Sequence, residues 1–417
     1  MDALTASRAI TDELASVAGG PVPRVRAWTG AEWGPVDAPF TLVLQHPGAL
    51  RSLLLPPNDL TAGEAYIYND VDFEGDIFAA LEFGAALAEA PKNRRAVVRI
   101  LRRLRKLPRT SQRDVADRPR MRGSRHSLRR DRQAVTHHYD TGNDFFAQFL
   151  DPQMVYSSAH FLSHVDTLEK AQRRKLDLIC RKLQLARGED FLDVGCGWGS
   201  LVIHAVTEYG VNAVGVTVSG PQAEYARQRA KDMGVDDRVT ILEQDYREVE
   251  GTFDAIASIG MFEHVGRKKL GVYFSRLAGM LKPNGLVLNH GIVTRDRNPG
   301  RKRPTFVSTY VFPDGELVPI DETIGVAEDT GLELRDAESL RGSYALTLRH
   351  WVTNLEVNRE EAIEVAGERV YRIWRLYMAA SAVAFERAAI SVYQLLLAEP
   401  ERPWTFGRSR YLSTDDR

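Results

Sequence analysis

Apolar and polar positions change rhythm several times along the chain. After Val135, short apolar runs recur at Asp190–Val194, Val211–Val216, Val239–Leu242, Phe253–Ile259 and Leu286–Ile292. Between most of them, apolar residues return every three to four positions, over Leu168–Leu185, Leu201–Tyr209, Pro221–Met233 and Lys269–Leu281. The first spacing suits buried strands and the second suits one face of a helix. Strands alternating with helices predict an α/β fold, a doubly wound parallel sheet covered by helices on both faces. A long helical pattern from Ala362 to about Val392 closes the chain.

The first 90 or so residues follow a different pattern. Thr41, Val43 and Gln45 alternate with Leu42, Leu44 and His46, and proline-containing loops follow. Helical spacing then appears around Ala62–Ile67 and Asp76–Glu89, which predicts a small α/β domain. Next comes KNRRAVVRILRRLRKL, with Val97, Ile100, Leu101, Leu104 and Leu107 on one helix face and guanidinium groups around the rest. From Pro108 to about Ser127 the composition is that of a flexible linker. The expected organisation is an accessory domain at 1–90, a basic helix and linker at 91–134, and a doubly wound domain at 135–417.

Composition adds exclusions. With 44% hydrophobic and 27% charged residues among 417, the chain is neither collagen-like nor disordered. Its longest apolar stretch, near Leu376–Phe385, falls short of the roughly 20 residues of a membrane span. The N-terminus lacks the basic start of a secretory signal, and two cysteines, Cys180 and Cys196, make no disulfide framework. A cytoplasmic setting is expected. Charge changes the picture most. The net charge is −1, yet Lys92–Arg132 holds 17 basic and 3 acidic residues, a +14 belt on a body of −15. That asymmetry points to an anionic partner, nucleic acid or a membrane surface.

The sharpest motif is Phe191-Leu-Asp-Val-Gly-Cys-Gly-Trp-Gly199, at the end of the first strand of the expected sheet. Gly195, Gly197 and Gly199 allow a tight turn and a close backbone approach, where doubly wound sheets bind ligands. The spacing is G-x-G-x-G rather than the dinucleotide G-x-G-x-x-G, and Asp193 precedes it. It resembles the loop of S-adenosylmethionine-dependent methyltransferases, in which a carboxylate near a cationic ligand is favourable. Cys196 reads as small and buried, without a partner to activate it. No acidic residue ends the second strand; Thr217 and Gln222 offer neutral hydrogen bonds there instead. After the third strand, Asp245 could take an adenine amino group and Tyr246 could stack or simply pack.

After the fourth strand stands Ser258-Ile-Gly-Met-Phe-Glu-His-Val-Gly266. The Asn/Asp-Pro-Pro-aromatic motif of nucleic-acid amino-methyltransferases is absent, so no nucleic-acid partner is expected. Glu263 and His264 suggest acid–base work, or else a salt-bridged surface pair. No metal site is expected.

Taken together, His138-Tyr-Asp-Thr-Gly-Asn-Asp-Phe-Phe146, Val155-Tyr-Ser-Ser-Ala-His-Phe161, LDVGCGWG, Phe262-Glu-His-Val-Gly266, Asn289-His-Gly-Ile292 and Gly342-Ser-Tyr344 resemble the cyclopropane fatty acid synthase family, mycolic acid cyclopropane synthases included. The resemblance runs from His137 to about Leu396, and Gly63-Glu-Ala-Tyr-Ile67 resembles that family's accessory domain. It implies a class I methyltransferase sheet, with Tyr156, Ser157, Gly195, Gly197, Trp198, Thr217, Gln222 and Tyr246 around S-adenosylmethionine. It implies that Glu263, His290, Tyr344 and the Ile292 backbone hold a bicarbonate ion acting as base. The family usually has Cys where this chain has Ser158, which leaves the product open.

The implied substrate is an unsaturated, oleoyl-like phospholipid chain in an anionic membrane, reached from the inner face without a span. Methyl transfer to the cis double bond leaves a carbocation. Proton loss after a hydride shift gives a 10-methylene branch; loss from the new methyl closes a cyclopropane. The chain looks most similar to the methyltransferase of 10-methyl (tuberculostearic) fatty acid synthesis, whose product passes to a flavin-dependent reductase. Cyclopropane formation is the alternative and a small-molecule methyltransferase a lesser one. Whether the protein is a homo-oligomer stays open.

Overall fold

In a computed structural model the chain is described over residues 2–18, 20–90, 94–109, 141–297 and 304–403, with 123, 127, 130 and 133 as single positions. Most of the expected linker, and His138–Asp140 of the first family motif, lie outside the described residues. The described residues form two compact units. The first comprises the chain up to 109, residues 304–313 and Gly367–Val383, and the second the remainder.

The first unit has a sheet of β1 (Arg24–Arg26), β2 (Glu32–Trp33), β3 (Phe40–Leu44) and β4 (Val71–Gly75), in the order β2-β1-β3-β4. Helix Ile77–Glu89 starts where expected and helix Asp59–Ile67 three residues earlier than its apolar spacing showed, because Asp76 and Asn58 accept the first free backbone N–H groups. Such caps contribute about 1 kcal/mol each. Helix Glu368–Glu386 brings two arginines into this unit. Arg372 pairs with Asp72 at 2.7 Å and donates to the Tyr66 carbonyl, and Arg375 donates to the Tyr66 hydroxyl at 3.0 Å.

The basic helix forms over Arg94–Lys106. Its apolar stripe is divided. Leu104 and Leu107 are buried, whereas Val97 is 44% exposed. Arg99 and Arg103 both reach Glu13 at 2.6 Å, so two of its cations serve internal pairs.

The second unit is an eight-stranded sheet. Its strands are β5 (Asp190–Val194), β6 (Asn212–Thr217), β7 (Val239–Glu243), β8 (Phe253–Ile259), β9 (Leu281–Thr294), β10 (Val318–Pro319), β11 (Glu333–Ser339) and β12 (Ile390–Ala398). The main path runs β11-β12-β9-β8-β5-β6-β7, with β10 beside the end of β9. Strands β5 to β9 pair in parallel, and β12 runs antiparallel to β9. The doubly wound α/β reading therefore holds for the central strands.

One expectation needs correction. The helix from Ala362 to Val392 is instead two helices and the start of a strand. Gly367, at φ +85°, separates Arg359–Ala366 from Glu368–Glu386. The second helix ends at Glu386, and Ala388 turns the chain at φ +55° into β12. Pairing with β9 outweighs helical periodicity here, since nine register pairs tie Ile390–Ala398 to Leu286–Thr294.

Both faces of the sheet are packed. Cys180, Val202, Ile203 and Ala226 cover one, and Tyr273, Phe274 and Leu277 cover the other. The carboxyl ends of β5, β6, β8 and β9 are left to build a site, as parallel sheets do at a switch of strand order. Among the described residues, no helix is long and apolar enough to cross a membrane.

Candidate active site

The glycine loop leaves β5 through three residues at positive φ: Gly195 at +85°, Gly197 at +54° and Gly199 at +81°. The N–H groups of Gly195 and Cys196 both donate to the Val216 carbonyl at 2.9 Å, pinning the loop to β6. A side chain at Gly199 would place Cβ 2.9 Å from the Ala226 Cβ, so glycine is required for close packing as well as for its dihedral. Cys196 is buried, and burial pushes its thiol well above the usual range, with nearby Asp193 adding to the shift. It packs as a small apolar residue, in keeping with the sequence reading.

Asp193, two residues before Gly195, is buried, and its Oδ1 has no hydrogen-bond partner. Burial lifts its pKa to about 7, and the Lys175 ammonium pulls the other way. Lys175, on helix Leu168–Lys182, is itself buried, and its Nζ donates to Ser157 Oγ at 2.9 Å. Burial lowers its pKa to about 8, opposed by Asp151 and Asp193. At the end of β6, Thr217 Oγ1 donates to Gln222 Oε1 at 2.9 Å. The buried Gln222 Nε2 has no partner. Two orphaned polar atoms, a carboxylate oxygen and an amide N–H2, thus flank a loop whose backbone is open to close approach. Unmatched buried groups cost roughly 1–3 kcal/mol each, which a polar ligand can relieve. The residues present fit a cationic ligand carrying hydrogen-bond acceptors.

Asp245 and Tyr246 follow β7. Asp245 caps the turn Tyr246–Glu248 and is held by both ends of the Arg247 guanidinium at 2.7 Å. Tyr246 packs edge-on to Tyr273, with centroids 5.6 Å apart.

An aromatic wall begins at Trp198 in the loop. Trp198 Nε1 donates to Asn143 Oδ1 at 2.7 Å, and its ring meets Phe146 at 5.0 Å. Phe146 meets Tyr156 at 5.4 Å, and Tyr156 stacks on Trp351 at 5.2 Å. Trp351 meets Tyr344 edge-on, and Tyr344 packs on Phe385 at 4.7 Å. The loop is therefore joined to Tyr344 by continuous ring contacts, each contributing about 0.5–1.5 kcal/mol beyond buried area. Asn143 belongs to the first family motif but carries no role of its own in the sequence, and Trp351 does not stand out there because it reads as an ordinary core residue.

Beyond β8, Phe262–His264 forms a single tight turn. Glu263 Oε1 accepts from the Ile292 backbone N–H at 2.7 Å, and its buried Oε2 has no partner. Burial raises the Glu263 pKa to about 7, against the pull of that N–H. His290, on β9, is buried with Nδ1 3.2 Å from Gln394 Nε2 and with Nε2 unpartnered. Burial, and then Lys175 and Lys182, hold its pKa well below the usual histidine value. The expected Ile292 donor is thus engaged by Glu263, so a ligand would share that N–H or displace the carboxylate. Ser158 is fully buried and its hydroxyl donates to the Ala159 carbonyl at 3.0 Å. A carboxylate oxygen and an imidazole nitrogen, both buried and both unmatched, fit a small polar ligand that can donate as well as accept.

A protein-family model described as mycolic acid cyclopropane synthetase matches residues 126–395. A probable fatty acid methyltransferase of Pseudomonas putida is 37% identical over 393 residues, covering 92% of this chain and 94% of that protein. The cyclopropane-fatty-acyl-phospholipid synthase of Escherichia coli (strain K12) is 38% identical over 261 residues, or 63% of this chain and 66% of that one. Among solved structures, a mycolic acid cyclopropane synthase complexed with SAH and CTAB is 33% identical with a TM-score of 0.61, and the match covers 64% of this chain and 98% of that one.

Proposed function

The chain belongs to the mycolic acid cyclopropane synthetase family, and from that premise we propose that it methylates the cis double bond of an unsaturated phospholipid acyl chain, giving a 10-methylene branch. The observation that carries this reading is that Glu263, bonded to the Ile292 N–H on β9, and His290, two residues earlier on that strand, are both buried with an unmatched polar atom. S-adenosylmethionine, when bound, supplies an electrophilic methyl group, and bicarbonate, when bound, supplies a base. Asp193, Gln222, Thr217 and the glycine loop would hold the first; Tyr156, Ser157 and Trp198 would wall it in. Asp245 and Tyr246 would border the adenine end. Glu263, His290, Tyr344 and the Ile292 N–H would hold the second, and Ser158 would border it.

The residues' work is positioning and exclusion of water. An alkene is a weak nucleophile, so alignment with the methyl group supplies much of the rate. The aromatic wall keeps water from the cationic chain that methyl transfer leaves, and Glu263 sets negative charge near it once ionised. Cyclopropane formation shares every one of these features. It is favoured by the names of the Escherichia coli relative and of the structurally similar synthase. Lipid mass spectrometry of bacteria expressing this chain tests the proposal. Acyl chains heavier by one CH2 are expected, with olefinic proton signals from an exocyclic methylene. Cyclopropyl signals would select the alternative, and unchanged lipids would overturn both.

The substrate lies in a bilayer, and the +14 belt supports attachment to an anionic inner leaflet. A polybasic segment gains about 1 kcal/mol per cation that reaches the surface. Arg99 and Arg103 are engaged by Glu13, whereas exposed Val97 and Val98 offer an apolar edge. Sedimentation with anionic vesicles is expected to capture the protein at low salt and release it at high salt. Equal binding to neutral vesicles, or none to either, would overturn the attachment. A flavin-dependent reductase acting on the methylene product completes the proposal.

A further inference from the structure

His290 sits opposite Gln394 in the β9–β12 ladder, and behind Gln394 stands the buried Lys182. Lys182 Nζ donates to Gln394 Oε1 at 2.8 Å and is held by the Glu338 carboxylate, with Asp336 at 3.7 Å. An ammonium can only donate, so the amide oxygen must face it. The amide nitrogen then faces His290 Nδ1, at 3.2 Å, and being a donor it requires a lone pair there. A neutral imidazole with its lone pair at Nδ1 carries its proton at Nε2, the nitrogen without a partner.

We propose that Lys182 and Gln394 are positioning residues that fix His290 as the neutral tautomer protonated at Nε2, so that it meets its ligand only as a hydrogen-bond donor. The Lys175 and Lys182 ammoniums, from one helix, both disfavour a second proton on the ring. Asp336 and Glu338 on β11 are turned to Lys182, and Glu263 spends one oxygen on the Ile292 N–H. The inference deepens the reading given above and rests on it in one respect: that His290 and Glu263 share a ligand. Such a ligand must accept from Nε2–H and can donate to an ionised Glu263. An oxyanion that keeps one proton satisfies both, whereas a fully deprotonated one satisfies only His290.

The experiment is nitrogen NMR of the full chain labelled with 15N-histidine, at neutral pH and without substrate. Ten histidines are present, and the signals lost in H290Q identify the ring. Nε2 is expected as the protonated nitrogen and Nδ1 as the bare one. In Gln394→Glu, a carboxylate that only accepts moves the proton to Nδ1, and kcat falls about 100-fold, the scale of one misplaced proton donor. The KM for S-adenosylmethionine stays unchanged, which a merely structural defect would not give. In Lys182→Met the amide is free to turn, and a second tautomer appears. If the glutamate variant fails to fold, the wild-type and Lys182→Met spectra decide. A wild-type ring protonated at Nδ1 or at both nitrogens overturns the proposal, as does a wild-type tautomer in both variants. Should the tautomer be as stated while H290Q turns over normally, the tautomer assignment stands and the catalytic reading of the site falls.

Discussion

Glu263→Gln is expected to lower turnover by roughly 10³-fold, the scale of a lost acid–base group, while S-adenosylmethionine still binds. The side chains are nearly isosteric, so the buried turn Phe262–His264 keeps its shape. What is lost is the charge and the acceptor at Oε2, the atom without a protein partner. Single-turnover methyl transfer and calorimetric titration of the cofactor separate the two effects. Wild-type turnover in the variant would remove Glu263 from the chemistry. The same substitution carries a stability signature. In the folded chain without ligand, Glu263 holds its proton to about pH 7, against 4.5 for an ordinary glutamate. Between those values the folded state binds more protons than the unfolded state, so stability falls as pH rises through the window. The loss amounts to roughly 3 kcal/mol once pH is well above 7. Glu263→Gln abolishes that share of the slope. Asp193, raised in the same direction, remains in both proteins. Urea unfolding at about pH 5 and about pH 8 should therefore show the variant gaining on the wild type as pH rises. A constant difference would contradict a carboxyl whose pKa is raised by burial at this turn.

Gly291→Ala is expected to destabilise the protein by roughly 3 kcal/mol and to abolish turnover. A Cβ at this position would lie 1.8 Å from Phe262 Cε1 and 2.1 Å from Cδ1, so the ring must move. Phe262 is buried and directly precedes Glu263, so displacing it moves the carboxylate away from the Ile292 N–H. The companion change Phe262→Ala removes the clash at the cost of a cavity, so the double variant should lose less than the sum of the two singles. A coupling of about 2 kcal/mol is expected for such contacting residues. Chemical unfolding of the four proteins measures it. A Gly291→Ala protein within about 0.5 kcal/mol of wild type would show that the turn has room the geometry does not provide.

The central strands are legible in sequence because each is a short apolar run, and β5 and β8 are bounded by glycine. The loop glycines and the Phe-Glu-His turn are legible because chemistry needs those residue types at those junctions. β12 is not. Its residues Val392-Tyr-Gln-Leu-Leu-Leu follow a helix without an intervening glycine or proline, and a buried strand has no period of its own to betray it. With β12 hidden, Gln394 falls just past the expected helix, and nothing local marks it as the cross-strand neighbour of His290. Lys182 is hidden for a related reason. A lysine in the last turn of a helix ordinarily faces water, and only β11 and β12 reveal carboxylates and an amide prepared to receive it. Lys175 likewise carries no local signal, since its partners Ser157 and Asp193 arrive from other segments.

The composition of the first unit bears on how the gene can be cut. That unit draws on residues 304–313 and Gly367–Val383, which in sequence follow β9 and β11, strands of the second unit's sheet. Deleting the first 109 residues would strip Asp72 and Tyr66 from Arg372 and Arg375, leaving two arginines on Glu368–Glu386 without the partners that bury them. Cutting at residue 109 therefore divides the first unit rather than removing it whole. A chimera joined at one crossover after residue 109 would inherit half of a matched set, with Arg372 and Arg375 facing partners chosen for another chain.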